Sequence, residues 1–247
     1  MNKRETLMTQ EYFDEEVKYE TETIKDFQND LLDLHDANPK DVASFLYSIF
    51  RKNCELFFLK YSQGEDIALL KNNLNDIVDA FEKYSSHPSA EKIKFDDGQE
   101  DYETCLWLIS ISILLNIDNN TFNKLLIFIG NEGEDELFEA LVGRRIEGRK
   151  KANKLIYLKE YHILLDATKG AHNGINIQQF LLSWYGNMKQ CYWYDNHKGK
   201  EGGGFFGYWC WEAAAVSVAF NIDDARFRDM KYYPKDMADF ARELANG

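Results

Sequence analysis

The chain has 247 residues, a net charge of −13 at pH 7, and 45% hydrophobic and 15% aromatic residues. This composition is typical of a folded protein with one large core or two medium ones, and it excludes a disordered chain. The acidity is concentrated in Met1–Leu125, with 13 Lys and Arg against 25 Asp and Glu, whereas Leu126–Gly247 has 16 against 17. Nucleic acid and anionic membranes are therefore disfavoured as partners and a basic protein is favoured, unless the acidity only maintains solubility.

The N-terminal sequence, the longest apolar run, the cysteines and the histidines indicate in which cellular compartment the protein resides and whether it binds a metal. Met1–Gln10 lacks the apolar core of a secretion signal, and the longest apolar run, near Cys105–Leu115, is too short to span a bilayer. The four cysteines are scattered without a CxxC spacing, and the five histidines form no ligand motif. We therefore expect a soluble cytoplasmic protein with no metal and no cofactor, whose thiols are reduced core residues.

The first half reads as a series of helices. A first helix is predicted over about Thr9–His35, with an acidic outer face, and a second begins at Asn38-Pro39, a cap followed by a proline in the first turn. Gln63-Gly64 ends it and a third helix follows. Ser85–Gly98 is a polar connector before a helix over Gln99–Leu115. No segment alternates with period two, so we predict no sheet.

The second half continues the helical pattern. A short helical connection is expected around Leu137–Ile146, a helix over Tyr157–Asp166, and another that ends near Met188. Trp209–Phe220 is apolar on every face, which predicts a central helix buried all round. Asn221 can end it in the left-handed conformation, Asp223 can cap the next turn, and Pro234 can open a last helix.

The two halves echo each other. Shifting the chain by 105 residues gives six identities in the window 102–122: Cys105 with Cys210, Ser112 with Ser217, Asn116 with Asn221, Ile117 with Ile222, Asp118 with Asp223 and Phe122 with Phe227. We predict an all-α protein with two related helical halves, 1–130 and 131–247, packed into one compact body. Chance similarity between two buried helices is the alternative.

Glu212 is the one charged residue in the most apolar helix. A buried carboxylate needs a donor, and we expect a hydrogen bond from His197, from Arg226 or Arg228, or from the hydroxyl of Tyr232 or Tyr233. One interpretation is a general acid or base beside His197; the other, which we favour, is a structural pair. The tryptophans likewise suggest either a platform for a sugar or base, or an aromatic core, and we favour the core: Trp184, Trp193, Trp209 and Trp211.

Several motifs resemble those of one protein family. Six motifs are similar to the pattern of PoNi-type immunity proteins: Tyr61-Ser62-Gln63-Gly64-Glu65, Trp184-Tyr185, Trp193–Lys198, Phe206–Ala215, Asn221–Asp224 and Tyr232–Asp236. The resemblance is strong after about Gln179 and loose before Asp101, and Gly202–Gly204 departs from it as a local loop variation. It assigns a structural signature to ten residues: Trp193, His197, Gly207, Tyr208, Trp209, Glu212, Asp223, Asp224, Tyr233 and Pro234.

The resemblance implies a helical bacterial antitoxin, not an enzyme, that binds and blocks a polymorphic DNase toxin of the PD-(D/E)xK nuclease type. We expect the toxin to contact an acidic surface: Asp96, Asp97, Glu100, Asp101, Glu103, Glu132, Glu134, Asp135 and Glu136. The oligomeric state is left open, with a homodimer as one alternative. A small-molecule hydrolase that uses Glu212 and His197, or a generic helical scaffold for another protein, are the competing hypotheses.

Overall fold

A computed structural model describes residues 3–34, 37–170, 172–199 and 203–246, and all regular secondary structure in these ranges is helical. The α-helices are α1 Gln10–Asp33, α2 Pro39–Gln63, α3 Ile67–Ser85, α4 Gln99–Leu114, α5 Asn119–Ile129, α6 Glu136–Val142, α7 Leu158–Ala167, α8 Asn173–Asn187, α9 Trp211–Ala219 and α10 Lys235–Asn246, with a 3₁₀ turn at Asn196–Lys198. The all-α prediction is confirmed. In these ranges no helix combines the length and the apolarity that a membrane span requires.

The chain forms two compact units whose segments alternate along the sequence. Unit 1 comprises Met1–Lys92, Asp118–Ile129 and Asp195–Tyr208; unit 2 comprises Ile93–Ile117, Gly130–Tyr194 and Trp209–Gly247. Each unit therefore contains residues from both halves of the sequence. The division at residue 130 into two domains stays a prediction.

Unit 1 is built on α2, which packs against both α1 and α3, while α5 packs on α3. The predicted starts of α1 and α2 and the predicted end of α2 are confirmed. The side chain of Thr9 accepts a hydrogen bond from an N–H in the first turn of α1, and Asn38 does the same for α2, with Pro39 at its first position. Gly64 ends α2 with a φ of 104°, which favours glycine. The predicted end of α1 at His35 lies outside the described residues.

Unit 2 is organised around α4 and α9, which pack against each other; α10 packs on both, and α7 on α8. Every residue of α4 from Tyr102 to Leu114 is buried, as is every residue of α9 from Trp211 to Ser217. The helix predicted to be buried all round is thus confirmed over Trp211–Ser217, whereas Val218 and Ala219 at its end are half-buried. However, α9 begins two residues later than predicted. The N–H of Cys210 bonds to the Tyr232 carbonyl at 2.8 Å, which holds the chain before α9 in a non-helical path.

The echo between the halves extends to the local backbone. Asn116 and Asn221 follow α4 and α9 with φ values of 44° and 52°, as predicted for Asn221. In both turns an isoleucine N–H bonds to the carbonyl of the serine five residues earlier: Ile117 to Ser112 at 3.2 Å and Ile222 to Ser217 at 2.7 Å. The two turns are thus built alike. The superposition of the two halves stays a prediction.

Candidate protein-binding surfaces

The acidic residues predicted to meet a toxin all belong to unit 2, but they differ in exposure. Asp96, Asp97, Glu132 and Glu134 are exposed, and Glu100, Asp101 and Glu136 are half-buried. Glu103 and Asp135 are buried. These two side chains do not reach the surface and cannot touch a partner there.

The side chain of Asp135 is fully engaged in hydrogen bonds at the start of α6. It accepts hydrogen bonds at 2.9 Å from the N–H groups of Phe138 and Ile156 and from the hydroxyl of Tyr102. Burial raises the pKa of Asp135, and these donors oppose the rise. Glu103 is occupied in the same way, since it accepts from the Trp193 indole N–H at 2.9 Å. Sequence spacing missed both because it does not distinguish an acid on a solvent face from an acid at a helix cap, such as Asp135, or from one that faces a buried indole, such as Glu103.

Four carboxylates act electrostatically on one half-buried aromatic side chain, that of Tyr157. Its pKa is raised by burial first and then by the negative charges of four neighbouring carboxylates: Asp96, Asp101, Glu160 and Asp97. The Tyr157 ring packs against the ring of Tyr102, and the two ring centroids are 5.0 Å apart. We call Tyr157 and these four acids the Tyr157 surface. Tyrosine is among the residues enriched at the energetic centres of protein interfaces, whose rims are polar.

Glu212 is fully buried, as predicted, but its expected partners were wrong. Its Oε1 accepts from the indole N–H of Trp184 at 2.7 Å, and its Oε2 has no hydrogen-bond partner within the described ranges. Burial raises the pKa of Glu212 to about 7, against the hydrogen bond from Trp184. His197 belongs to unit 1, where its Nδ1 lies 2.8 Å from the hydroxyl of Tyr208. The structure therefore gives Glu212 an indole donor instead of a catalytic histidine.

The tryptophans form a core, not an open platform. Trp184 stacks on Trp193 with ring centroids 5.6 Å apart, and Trp107 lies 5.7 Å from Trp193. Trp184, Trp193 and Trp211 are buried, and Trp209 is half-buried. In the described ranges, no group of three or more His, Cys, Asp or Glu could hold a metal ion.

Within unit 1, residues of two separate signature motifs bond to each other. Ser62 donates to the carbonyl of Phe206 at 2.6 Å, and the N–H of Tyr208 donates to the buried Glu5 at 3.2 Å. Gly207, between these two positions, has a φ of 99°, a conformation that favours glycine. These contacts fix the segment Asp195–Tyr208 within unit 1. Sequence reasoning identified both motifs but not their pairing.

In unit 2 the last signature residues form an ionic network at α10. Asp224 accepts from Arg242 at 2.5 Å and from the hydroxyl of Tyr233 at 3.1 Å, and that hydroxyl lies 2.7 Å from Ser217 on α9. Asp223 accepts from the N–H of Ala225 at 3.1 Å, which confirms the predicted cap. Pro234, predicted to open the last helix, is buried immediately before α10. These residues anchor the C-terminal helix.

Unit 1 also contains a groove that the sequence did not reveal. It has a volume of about 350 Å³ and is lined by three helices, with α2 as the floor and α1 and α3 as walls. Apolar residues of α2 such as Leu46, Ile49 and Leu56 lie at its base, while charged side chains line its walls. In the sequence these apolar residues of α2 predict a buried core, so the groove becomes evident only from the arrangement of the three helices.

Two family models match the chain. One, described as PoNe immunity protein (PoNi), N-terminal, covers residues 4–127, and the other, PoNe immunity proteins (PoNi), C-terminal, covers residues 133–237. Among solved structures, the crystal structure of protein PA2201 from Pseudomonas aeruginosa is similar, with a TM-score of 0.70 and 16% identity over 93% of this chain and 89% of that one. At this identity the likeness concerns the fold alone. No curated protein matches.

Proposed function

The chain belongs to the PoNe immunity protein family, and we propose that it neutralises its cognate toxin by forming a direct complex with it. The observation that carries the proposal is the match of both family models, which together extend from residue 4 to residue 237. The complex would form in the cytoplasm of the cell that makes the protein, where the toxin would otherwise act. Neutralisation would require no turnover.

We infer further that the toxin is a DNase and that its surface is basic. A nuclease must present basic groups to phosphate, so a strongly acidic protein can cover that site or lie beside it. The net charge of −13 supports this, because opposite charges accelerate encounter, and an immunity protein must reach the toxin before DNA does.

The Tyr157 surface is our candidate for the first contact with basic toxin residues. Its four acids act electrostatically on one aromatic ring that packs on Tyr102, so arginine or lysine side chains could bond to the carboxylates and pack on the ring. Of the other predicted acids, Glu132 and Glu134 are exposed. We propose Glu132 and Glu134 as additional toxin contacts, after those of the Tyr157 surface.

The experiment is to mix the purified chain with the nuclease toxin encoded beside its gene, and to measure complex formation and DNA cleavage. We expect a stable complex and suppressed cleavage. If the chain in molar excess leaves cleavage unchanged and no complex forms, the proposed function is wrong.

A pair of matched variants then tests the Tyr157 surface. Asp96→Lys with Asp97→Lys should slow association at low salt and reduce its salt dependence. The control, Glu22→Lys with Asp26→Lys, changes net charge equally at exposed positions of α1. Equal association rates for the two double variants would rule out the Tyr157 surface while leaving the complex itself intact.

A further inference from the structure

Three carboxylates and one lysine form a partly buried cluster where α1 packs against α2 in unit 1. Glu16 and Glu20 lie one turn apart on α1, and Lys52 and Glu55 lie one turn apart on α2. The ammonium group of Lys52 lies 2.8 Å from Oε1 of Glu20 and 3.2 Å from Oε2 of Glu55. We call these four residues the Glu20 cluster. Its one positive charge faces three negative ones, so negative charge is in excess.

The carboxylate of Glu20 uses only one of its two oxygens. Glu20 is 6% exposed, and its Oε2 has no hydrogen-bond partner within the described ranges. Because both oxygens belong to one carboxylate, Oε2 lies in the same cluster as the ion pair with Lys52. A buried carboxylate oxygen without a donor costs free energy, and a ligand that donates to it would recover that cost.

The single lysine does not neutralise the cluster. Burial and then the negative charge of Glu20 raise the pKa of Glu16, and the charge of Lys52 only opposes this rise. Burial also raises the pKa of Glu20, against its hydrogen bond with Lys52. A further positive charge placed beside these two carboxylates would therefore stabilise both of them in the ionised form.

The cluster can be reached from solvent on the side of Lys52. The side chain of Lys52 is 30% exposed and that of Glu55 is 19% exposed. Tyr19, which is 61% exposed, follows Glu16 by three residues and so lies on the same side of α1. Because Lys52 already contacts Glu55, it can keep that partner when an incoming cation takes its place at Glu20.

We propose that the Glu20 cluster binds one arginine side chain of the toxin. The guanidinium donates to Glu16 and to Oε2 of Glu20, and its flat face packs on the exposed ring of Tyr19. Arginine fits better than lysine, because its planar fork of N–H groups can bond to two carboxylates at once. The inference rests on the proposed function, because the basic surface of the toxin supplies the arginine.

A charge-removing substitution with a matched control tests the site in the full chain. Glu20→Gln keeps an oxygen that accepts from Lys52, but it replaces Oε2 with an amide N–H group that repels a guanidinium donor. The control, Glu15→Gln, removes the same charge at an exposed position of α1. We expect Glu20→Gln to bind the toxin encoded beside the gene at least about tenfold more weakly than the control, which corresponds to about 1.4 kcal/mol.

A second substitution should change affinity in the opposite direction. Lys52→Met removes the cation that competes with the arginine and keeps an unbranched side chain. We expect it to bind the toxin at least about threefold more tightly than its control, because all three carboxylates then face the guanidinium. The control, Lys18→Met, makes the same charge change at an exposed position of α1. A purely structural ion pair predicts no such gain.

Two further measurements need no assumption about how the variants fold. Circular dichroism and urea unfolding compare each variant with its control. Amide hydrogen exchange of the wild-type chain should slow in residues 12–23 and 48–59 when the toxin is bound, and unchanged exchange in both segments would overturn the proposal.

The outcomes separate this proposal from the proposed function. If the wild-type chain does not bind the toxin, both fail. If it binds, but Glu20→Gln binds as tightly as its control, or a folded Lys52→Met binds more weakly than its control, the arginine site is wrong and the proposed function stands. A second copy of the chain is the competing occupant. A dimer, seen by sedimentation, that Glu20→Gln dissociates while toxin affinity equals that of the control would also overturn the proposal.

Discussion

Glu212 allows a prediction with a calculable magnitude, the dependence of stability on pH. Burial raises the pKa of Glu212 from its ordinary value of 4.5 to about 7. Between these values the folded protein holds a proton that the unfolded chain has lost, so the stabilisation is complete below about pH 4.5 and is lost as pH rises through 7. A shift of this size corresponds to about 3 kcal/mol.

Glu212→Gln isolates this contribution, because the amide oxygen can still accept from the Trp184 indole while the charge cannot form. Other buried carboxyls with raised pKa values, such as Asp135, titrate equally in both proteins and cancel in the comparison. From pH 5 to pH 8 the stability of the wild type relative to the glutamine variant should therefore fall by about 2–3 kcal/mol. Glu212→Ala should instead lose about 2–4 kcal/mol at pH 5, because a buried indole donor is orphaned and a cavity forms.

The assay is urea unfolding at several pH values. All five tryptophans lie in unit 2, so their fluorescence reports the unit that contains Glu212. Because the substitution can change the fluorescence of Trp184 directly, unfolding is also followed by circular dichroism. Parallel pH profiles for the wild type and the glutamine variant, or an alanine variant as stable as the parent, would refute the reasoning.

Two further predictions concern residues of the family motifs. Asp224→Asn should destabilise unit 2 by about 2–3 kcal/mol, because it removes the charge that Arg242 binds at 2.5 Å. Amide hydrogen exchange should accelerate first in α10, and an unchanged exchange rate in α10 would contradict its anchoring by Asp224. Ser62→Ala should lower the free energy of unfolding by about 1–2 kcal/mol, because the buried Phe206 carbonyl loses the hydroxyl that donates to it. The control is Ser48→Ala, whose hydroxyl donates only to a carbonyl of its own helix, and urea unfolding should show a smaller loss for it. Equal losses for the two serine variants would contradict the pairing of the two motifs.

The sequence predicted helices better than it predicted contacts. Asn38, Pro39 and Gly64 act within one turn of their own position, so the bounds of α2 could be read from local chemistry alone. The indole partner of Glu212 lies 28 residues away on another helix, and nothing in the spacing distinguishes it from the arginines nearby. The same limit applies to Asp135, whose donors come from three separate segments. A contact partner is a property of the packed unit.

The burial of three residues in the family motifs also bears on where recognition can reside. Ser62, Glu212 and Asp224 are buried and bonded within their own units, so they maintain the fold and have little to offer a toxin. A protein that tells one toxin from another needs exposed groups whose charge and shape can vary without disturbing that framework. The acids of the Tyr157 surface meet this requirement, because their side chains are exposed or half-buried and lie outside the signature motifs. On our proposal that the Tyr157 surface binds the toxin, the residues that maintain the fold differ from those that choose the toxin, and we expect a change of toxin to follow from substitutions at the Tyr157 surface.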